Sequence, residues 1–231
     1  MIRLLFIGLV YIMSASVVAE TMLDPFESLN RKTQNLNDTA DKRVMRPIAS
    51  SYDQMLPVLV RRSIGRVYGN FKDVGDAVNN LLQGKPGAFL SDIARVSVNT
   101  TMGIGGIFDP ASDLGLADHN EDFAQTLAKW GVPRGPYLVI PFLGPSSVRD
   151  IFARPFSNLI DPLLNMRPIY HRNVVLGARL IQTRADLLGT EKVVFGDRYL
   201  FFRDAYQQRR QYLELDGEII DDPFDGEFDD F

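Results

Sequence analysis

Few side chains in this sequence have the types and spacing that covalent chemistry requires. The nearest approach to the serine-hydrolase motif G-x-S-x-G is GPSSV at 144–148, which lacks the second glycine. The HNE triplet at 119–121 resembles the H-x-E motif of zinc deaminases, but those enzymes also need cysteines and this sequence has none. His119 and His171 are the only histidines, and neither has a second ligand at helical spacing, so we expect both in surface loops. The sequence therefore predicts a protein that is not an enzyme and holds no metal.

Glycine-rich and basic segments also lack the usual binding motifs. Gly103, Gly105 and Gly106 follow no predicted strand, and they form neither G-x-G-x-x-G nor a phosphate loop. No basic run is interleaved with aromatic residues, as nucleic-acid binding would require. We therefore expect no cofactor and no nucleic-acid partner.

Two uncharged stretches, Val96–Phe108 and Gly135–Val148, are the most informative feature of the chain. They contain 13 and 14 residues, fewer than the roughly 20 that a helix needs to cross a bilayer. Glycines and prolines interrupt both stretches, and irregular apolar backbone persists at membrane depth only where protein buries it or where it lines a wet cavity. The stretches favour a helical protein in a lipid layer, with irregular loops around a polar opening. The alternative is a soluble core with two turns rich in glycine and proline.

The two ends of the chain differ in composition from its middle. A basic start followed by uncharged residues up to Ala19 is typical of a secretory signal, with cleavage predicted between Ala19 and Glu20; an uncleaved anchor is the alternative. Residues 20–213 show no internal repeat and are predicted to form a single helical domain. Residues 214–231 contain nine acidic and no basic residues, which predicts a disordered tail or, alternatively, a docking arm.

Apolar residues recur every three or four positions in several segments, which predicts amphipathic helices. The first helix begins near Asp24 and stops at Pro47, and we expect its apolar stripe to be buried. Its polar face is either solvated or turned toward a hydrated passage. The next helix runs from Pro57 to a glycine cap at Gly84 and carries an apolar packing seam. The stripe is Phe26, Leu29, Thr33, Leu36, Ala40 and Val44, the polar face is Asn30, Asn35, Asn37 and Asp38, and the seam is Val60, Ile64, Val67, Phe71, Val74, Val78 and Leu81.

The second uncharged stretch is predicted to be a hairpin-like loop rather than a strand. Pro136 and Pro141 flank its short interior, which leaves little room for a hydrogen-bonded ladder. Ser147 and Asp150 then have the spacing of a capping box at the start of another helix. No strand pattern competes with these helices, so the predicted fold class is all-α.

Eight longer motifs follow one another between about Asp24 and about Tyr212. They are DPFESLNR at 24–31, NNLLQG at 79–84, NTTMGIGGIFD at 99–109, EDFAQTL at 121–127, WGV at 130–132, GPY at 135–137, LGPSSVRD at 143–150 and TRADLL at 183–188. Several long motifs in one order are far more specific than any single short match. On these motifs the chain resembles the MlaA/VacJ family of outer-membrane proteins.

The resemblance implies an all-α, ring-like helical domain that is embedded in the inner leaflet of the outer membrane around a central amphipathic channel. Members of the family remove misplaced phospholipids from the outer leaflet and so maintain lipid asymmetry. The implied partners are phospholipid, a trimeric outer-membrane porin and a soluble periplasmic lipid carrier. The alternative is an adaptor that attaches to porins without a lipid channel of its own.

The resemblance also implies where the channel wall and rim lie, and how the protein is held. Family members are usually lipoproteins with a cysteine just after the signal. This chain has no cysteine, so we expect no lipidation. We expect the embedded ring and a porin to hold the protein on the periplasmic side of the outer membrane. For each glycine at the rim, a turn without any gating role is the alternative. The predicted channel or rim residues are Asn30, Asn37, Asp38, Gly103, Gly105, Gly106, Gly135, Pro136, Tyr137, Pro141 and Gly144.

Overall fold

A computed structural model describes residues 24–189, 194 and 196–218. The predicted signal, 1–19, and its cleavage point between Ala19 and Glu20 lie outside the described residues, as do residues 219–231 of the predicted tail. The described part is almost entirely helical, which confirms the predicted fold class.

A continuous helical rod opens the described chain. It consists of α1 (Glu27–Ala40), a π-helical turn (Asp41–Met45) and α2 (Arg46–Met55). The sequence predicts a stop at Pro47, but the helix continues through it to Met55. Proline is tolerated in the first turn of a helix, where its missing N–H is not needed, and the π-helical turn just before it resets the hydrogen-bonding pattern.

Seven further helices follow the rod in the described residues. Helix α3 packs along α4, α2 packs on α8, and α6 packs on α7. The side chain of Ser147 accepts a hydrogen bond from the backbone N–H of Asp150 at 3.2 Å, which confirms the predicted cap of α7. The helices are α3 (Val58–Leu82), α4 (Pro86–Thr101), α5 (Pro110–Asp113), α6 (Phe123–Lys129), α7 (Val148–Ile160), α8 (Ile169–Asp186) and α9 (Arg198–Glu214).

The Gly135–Val148 stretch contains a short antiparallel hairpin, so the prediction of a loop without strands was wrong. Strands β1 (Tyr137–Ile140) and β2 (Gly144–Ser147) pair with Val139 opposite Pro145. The backbone N–H of Val139 donates instead to the Asn30 side chain at 2.9 Å. Val139 and Pro145 are thus a pair of residues without hydrogen bonds between them. The missing N–H of Pro145 therefore does not interrupt the ladder.

The polarity of helix α1 is the reverse of the prediction. The large apolar residues of its predicted stripe, Phe26, Leu29, Leu36 and Val44, are exposed, whereas Asn30 of the predicted polar face and the neighbouring Gln34 are buried. Helix α3 shows the same reversal: Val60 and Leu81 of the expected seam are exposed. The buried residues of α3 are Asn70, Asp73, Asp76, Ala77, Asn79 and Asn80.

The same reversal extends across the described residues. Their buried set contains seventeen polar or charged residues but only eleven apolar ones, six of which are alanine, while thirty large apolar side chains are exposed. Soluble domains bury large apolar residues and almost never bury charged ones unpaired. Within the described ranges, no helix combines the length and the apolar character that crossing a bilayer requires.

Candidate functional site

The interior between α3 and α4 is organised around Arg95. Its side chain is 4% exposed and bonds to the carboxylate of Asp73 at 3.3 Å, to the hydroxyl of Ser112 at 3.2 Å and to the carbonyl of Leu116 at 2.7 Å. Burial raises the pKa of Asp73. One guanidinium thus joins α3, α4 and the segment after α5, and a buried charge of this kind is tolerable only because it is paired and fully hydrogen-bonded.

A second chain of polar contacts runs from α3 through α4 to the following loop. The amide of Asn80 donates to Asp92 at 2.8 Å, and the other oxygen of Asp92 lies 2.6 Å from Nδ1 of His119. His119 lies in a loop, as predicted, but its ring is half-buried against this carboxylate rather than free at the surface. These contacts fix the loop before α6 to the polar interior.

Three carboxylates near the centre of α3 converge closely enough to be tested as a metal site. One oxygen each from Asp73, Asp76 and Asp118 lies within 4.8 Å of the others, and hard divalent cations prefer oxygen ligands of this type. Lys72 and Arg95 already contact two of the three groups. Because the chain supplies its own positive charge here, we assign no metal to this cluster.

Asp76 provides a test of the polar interior by pH. Burial raises its pKa to about 8, although Lys72 lies against it, whereas the unfolded carboxyl titrates near about 4. Between these values the folded state holds the proton and the unfolded state does not, so this group lowers stability as pH rises. Relative to the parent, Asp76→Asn is expected to gain about 1 kcal/mol in free energy of unfolding between pH 6 and pH 7. Urea unfolding in detergent at both pH values measures it; a pH-independent difference would contradict it.

The predicted glycine cluster after α4 is a tight turn packed on α3. A Cβ at Gly103 would lie 2.5 Å from the backbone oxygens of Asn99 and Phe108, and one at Gly106 would lie 2.8 Å from the Cβ of Asn70. Gly105 faces open space but has a φ of +69°. Close backbone approach and left-handed geometry account for all three glycines, so the turn without gating remains a sufficient reading of this cluster.

Gly103→Ala is expected to lower the free energy of unfolding by about 1 to 3 kcal/mol, because two backbone oxygens would have to move. Gly69→Ala is the matched control, since a Cβ there meets nothing within 4 Å inside α3. The control is expected to be stabilising by about 0.5 to 1 kcal/mol. Equal stability changes for the two variants, measured by urea unfolding in detergent, would contradict the close packing at Gly103.

Two predicted asparagines of α1 hold the hairpin in place. The Asn30 side chain donates to the carbonyl of Tyr137 at 3.0 Å and accepts from the backbone N–H of Val139. The Asn37 side chain donates to the carbonyl of Ile140 at 2.9 Å and accepts from the backbone N–H of Phe142 at 2.7 Å. Asn30 is 1% exposed. Its donor and acceptor satisfy backbone groups at the outer edge of β1, and its place at the channel or rim stays a prediction.

The other predicted residues near the hairpin have different surroundings. Asp38 forms an ion pair with Arg198 at 3.0 Å. Tyr137 is buried in a cluster with Tyr199 and Tyr206, and burial raises its pKa. The hairpin ends are more accessible: Pro136 and Pro141 are exposed, and Gly135 and Gly144 are half-buried with left-handed φ values.

Helix α9 is tied to the rest of the domain by a cluster of charges. Arg210 contacts Asp122 at 2.5 Å and Asp150 at 3.1 Å, and Glu214 pairs with both Arg134 and Arg149. Burial alone would raise the pKa of Asp122, but hydrogen bonds from Arg210 outweigh it and lower that pKa. Glu214 is thus the last residue of a packed helix rather than the start of a disordered tail.

An apolar hollow, which the sequence did not predict, opens beside α3. It has a volume of about 700 Å³, and Val60, Ile64, Val67 and Phe71 of the predicted seam of α3 line it. The hydroxyl of Tyr68 is satisfied by the carbonyl of Val175 at 3.2 Å, which leaves Arg66 as the charged lining residue. The lining residues are Leu59, Val60, Ser63, Ile64, Arg66, Val67, Tyr68, Phe71, Ile107, Phe108, Leu163, Met166 and Val175.

These features define a class of helical protein with an apolar exterior, a polar interior and an apolar hollow at its surface. Residues 22–213 match the family described as MlaA lipoprotein. The chain belongs to this family, which confirms the resemblance drawn from its motifs.

Individual relatives and a solved structure agree with the assignment. The chain is 30% identical over 207 residues to proteins of Shigella flexneri and Escherichia coli K12 called "Intermembrane phospholipid transport system lipoprotein MlaA", covering 85% of this chain and 80% of each relative. A protein of Rickettsia bellii is 33% identical over 192 residues, or 81% of this chain and 75% of that protein. A chain solved in work on "Structural basis for maintenance of bacterial outer membrane lipid asymmetry" superposes with a TM-score of 0.74 and 28% identity, covering 84% of this chain and 100% of that chain.

Proposed function

We propose that this protein is the outer-membrane component of an intermembrane phospholipid transport system. It takes misplaced phospholipids from the outer leaflet and passes them to a soluble periplasmic carrier, which maintains lipid asymmetry. The names of the relatives support the pathway. The observation that carries the proposal is the reversed polarity of the domain, with large apolar side chains outside and charged side chains inside.

Reversed polarity supports a position inside a single leaflet. Exposed apolar patches beyond a few hundred Å² mark protein or membrane contacts, and here exposed apolar residues occur on most of the long helices, including Leu59, Leu90 and Leu159. The described helices are not suited to spanning a bilayer. A ring of helices lying within the inner leaflet satisfies both observations, because its apolar exterior contacts lipid tails while its polar side chains are paired inside the domain.

The energetics explain why lipid transfer needs such a protein but no catalyst. Two acyl chains of about 16 carbons each, at roughly 0.8 kcal/mol per methylene, cost about 25 kcal/mol to expose to water. An unpaired polar headgroup costs several kcal/mol to move through hydrocarbon. An apolar hollow for tails with a charged side chain, Arg66, in its lining for the headgroup lowers both barriers, so downhill lipid flow requires no bond to be made or broken.

Anchoring and partners complete the proposal. With no cysteine to carry a lipid, the apolar exterior holds the protein in the membrane together with a trimeric porin, and the soluble carrier receives lipid from the periplasmic side. Extraction of membranes with alkaline carbonate tests the anchoring. The protein is expected to remain in the membrane pellet, and its release into the soluble fraction would contradict embedding.

Reconstitution tests the function itself. The protein is inserted into vesicles that contain labelled phospholipid, and transfer to the purified carrier is followed with and without the protein. We expect transfer that depends on both proteins. A porin adaptor without a lipid site would give no transfer, and that result would overturn the proposal.

The hairpin end is proposed as part of the channel rim, and the same assay tests it. Gly144→Leu suits the test because a Cβ there meets nothing within 4 Å, whereas a Cβ at Gly135 would lie 3.1 Å from the Cβ of Val148. The φ of +79° at Gly144 strains any side chain, so Gly144→Ala, which has the same strain without the bulk, is the control. A bulky side chain at 144 is expected to slow transfer severalfold while the protein stays folded. Transfer at the parental rate would remove the hairpin from the rim.

A further inference from the structure

The apolar hollow carries an uncompensated positive charge. Arg66 projects from α3 at its edge, is exposed, and is the charged member of the lining. Within the described part of the chain, Arg66 forms no ion pair, whereas the buried Arg95, Arg149 and Arg210 each contact a carboxylate. A guanidinium that lies at an apolar wall and has no carboxylate partner is available to bind an anion.

A second hollow adjoins the first and adds two more arginines. It has a volume of about 850 Å³, it is formed by the turn between α7 and α8, and it shares Met166 with the apolar hollow. Arg167 and Arg172 line it. Neither has a carboxylate partner among the described residues, and Arg172 contacts only the side-chain oxygen of Asn173, at 3.4 Å.

The segments that form these walls contain no acidic residue. None occurs between Gln54 and Lys72, and none occurs between Pro162 and Ala185. Other arginines of these segments are neutralised by carboxylates from outside them: Arg61 by Asp53, Arg179 by Asp161 and Arg184 by Asp41. The arginines that line the two hollows have no carboxylate partner among the described residues, and the same holds for Arg62, which is exposed on α3 and lines neither hollow.

We propose that Arg66, Arg167 and Arg172 form a phosphate-binding rim that selects lipids carrying a phosphodiester while an acyl chain occupies the apolar hollow. This inference rests on the proposed lipid-transfer function and adds its chemical selectivity. In a glycerophospholipid the anionic phosphate lies directly next to the apolar chains, which matches a charged rim beside an apolar cavity. Guanidinium groups bind phosphate oxygens through paired, charge-assisted hydrogen bonds, and these strengthen where the apolar wall excludes water.

Binding of two lipids with the same acyl chains, one with a phosphodiester headgroup and one without, tests the proposal. The probes are fluorescent phosphatidylglycerol and a fluorescent diacylglycerol with the same chains, titrated against the full-length protein in neutral detergent. Arg66→Gln is expected to weaken phosphatidylglycerol binding about tenfold, the loss of one charge-assisted contact, and to leave diacylglycerol binding unchanged. Arg209→Gln is the matched control, because Arg209 is exposed on α9, lines neither hollow and is expected to leave both affinities within twofold.

The possible outcomes separate this inference from the proposed function. If the parent protein binds neither lipid, both proposals fail. If it binds both lipids and Arg66→Gln changes neither affinity, or weakens both equally, the phosphate rim fails and the transfer function stands. Inorganic phosphate is expected to compete poorly because it lacks acyl chains; displacement of diacylglycerol and phosphatidylglycerol alike by phosphate alone would also overturn the rim.

Discussion

Arg210→Met is expected to lower the free energy of unfolding by about 3 to 5 kcal/mol, the cost of removing one partner from a buried ion pair. The side chain of Arg210 is 8% exposed and contacts Asp150, whose side chain is 13% exposed, and Asp122, whose side chain is 41% exposed, so the pair with Asp150 is the buried one. Methionine fills similar space but leaves the two carboxylates facing each other without a cation. Urea unfolding in detergent, followed by near-ultraviolet circular dichroism, measures the loss.

The adjacent arginine provides the control for this variant. Arg209 is exposed and forms no ion pair within the described residues, so Arg209→Met is expected to change the free energy of unfolding by less than about 0.5 kcal/mol. The cost of Arg210→Met is also expected to shrink below about pH 4, where carboxyls become protonated. This direction follows because the lowered pKa of Asp122 contributes stability that is lost as pH falls. A loss at neutral pH no larger than that of the control would show that solvent already screens the cluster.

Asn30→Ala is expected to cost about 2 to 4 kcal/mol in free energy of unfolding, since each buried backbone group left unpaired costs about 1 to 3 kcal/mol. The variant removes the partners of the Tyr137 carbonyl and the Val139 N–H together. Thermal unfolding in detergent measures stability. Hydrogen exchange at the Val139 amide reports whether the hairpin edge has opened, and it is expected to accelerate strongly.

Asn35 is the matched position on the same helix, because its side chain is exposed on α1. Asn35→Ala is expected to be neutral or slightly stabilising, by a few tenths of a kcal/mol, since alanine is the better helix former. If Asn30→Ala and Asn35→Ala behaved alike, the hairpin would not depend on α1 for its outer edge.

The sequence predicted the helices well and their orientation badly. The three-to-four-residue spacing of α1 and α3 correctly grouped the residues that share a face, and local side-chain chemistry correctly placed the cap at Ser147. Periodicity contains no information about which face is buried. That choice depends on the surrounding medium, and the expectation of a buried apolar face was wrong for Leu29 and Leu36 of α1 and for Val60 and Leu81 of α3.

The hairpin and the hollow escaped prediction for a related reason. Asn30 and Asn37, more than a hundred positions earlier in the chain, supply the hydrogen bonds at the outer edge of β1. No local pattern around Pro136 and Pro141 therefore predicts a strand. The walls of the hollow likewise come from α3, the turn after α4 and the segment before α8. Contacts of this range follow from the assembled fold and not from residue spacing.

The exposed apolar side chains of the domain also determine how the chain behaves in water. A polypeptide that displays phenylalanine and leucine on nearly every long helix, as at Phe152 and Leu159, self-associates when it is dispersed in an aqueous compartment. The proposed position in a leaflet would therefore require these side chains to be shielded until they contact lipid.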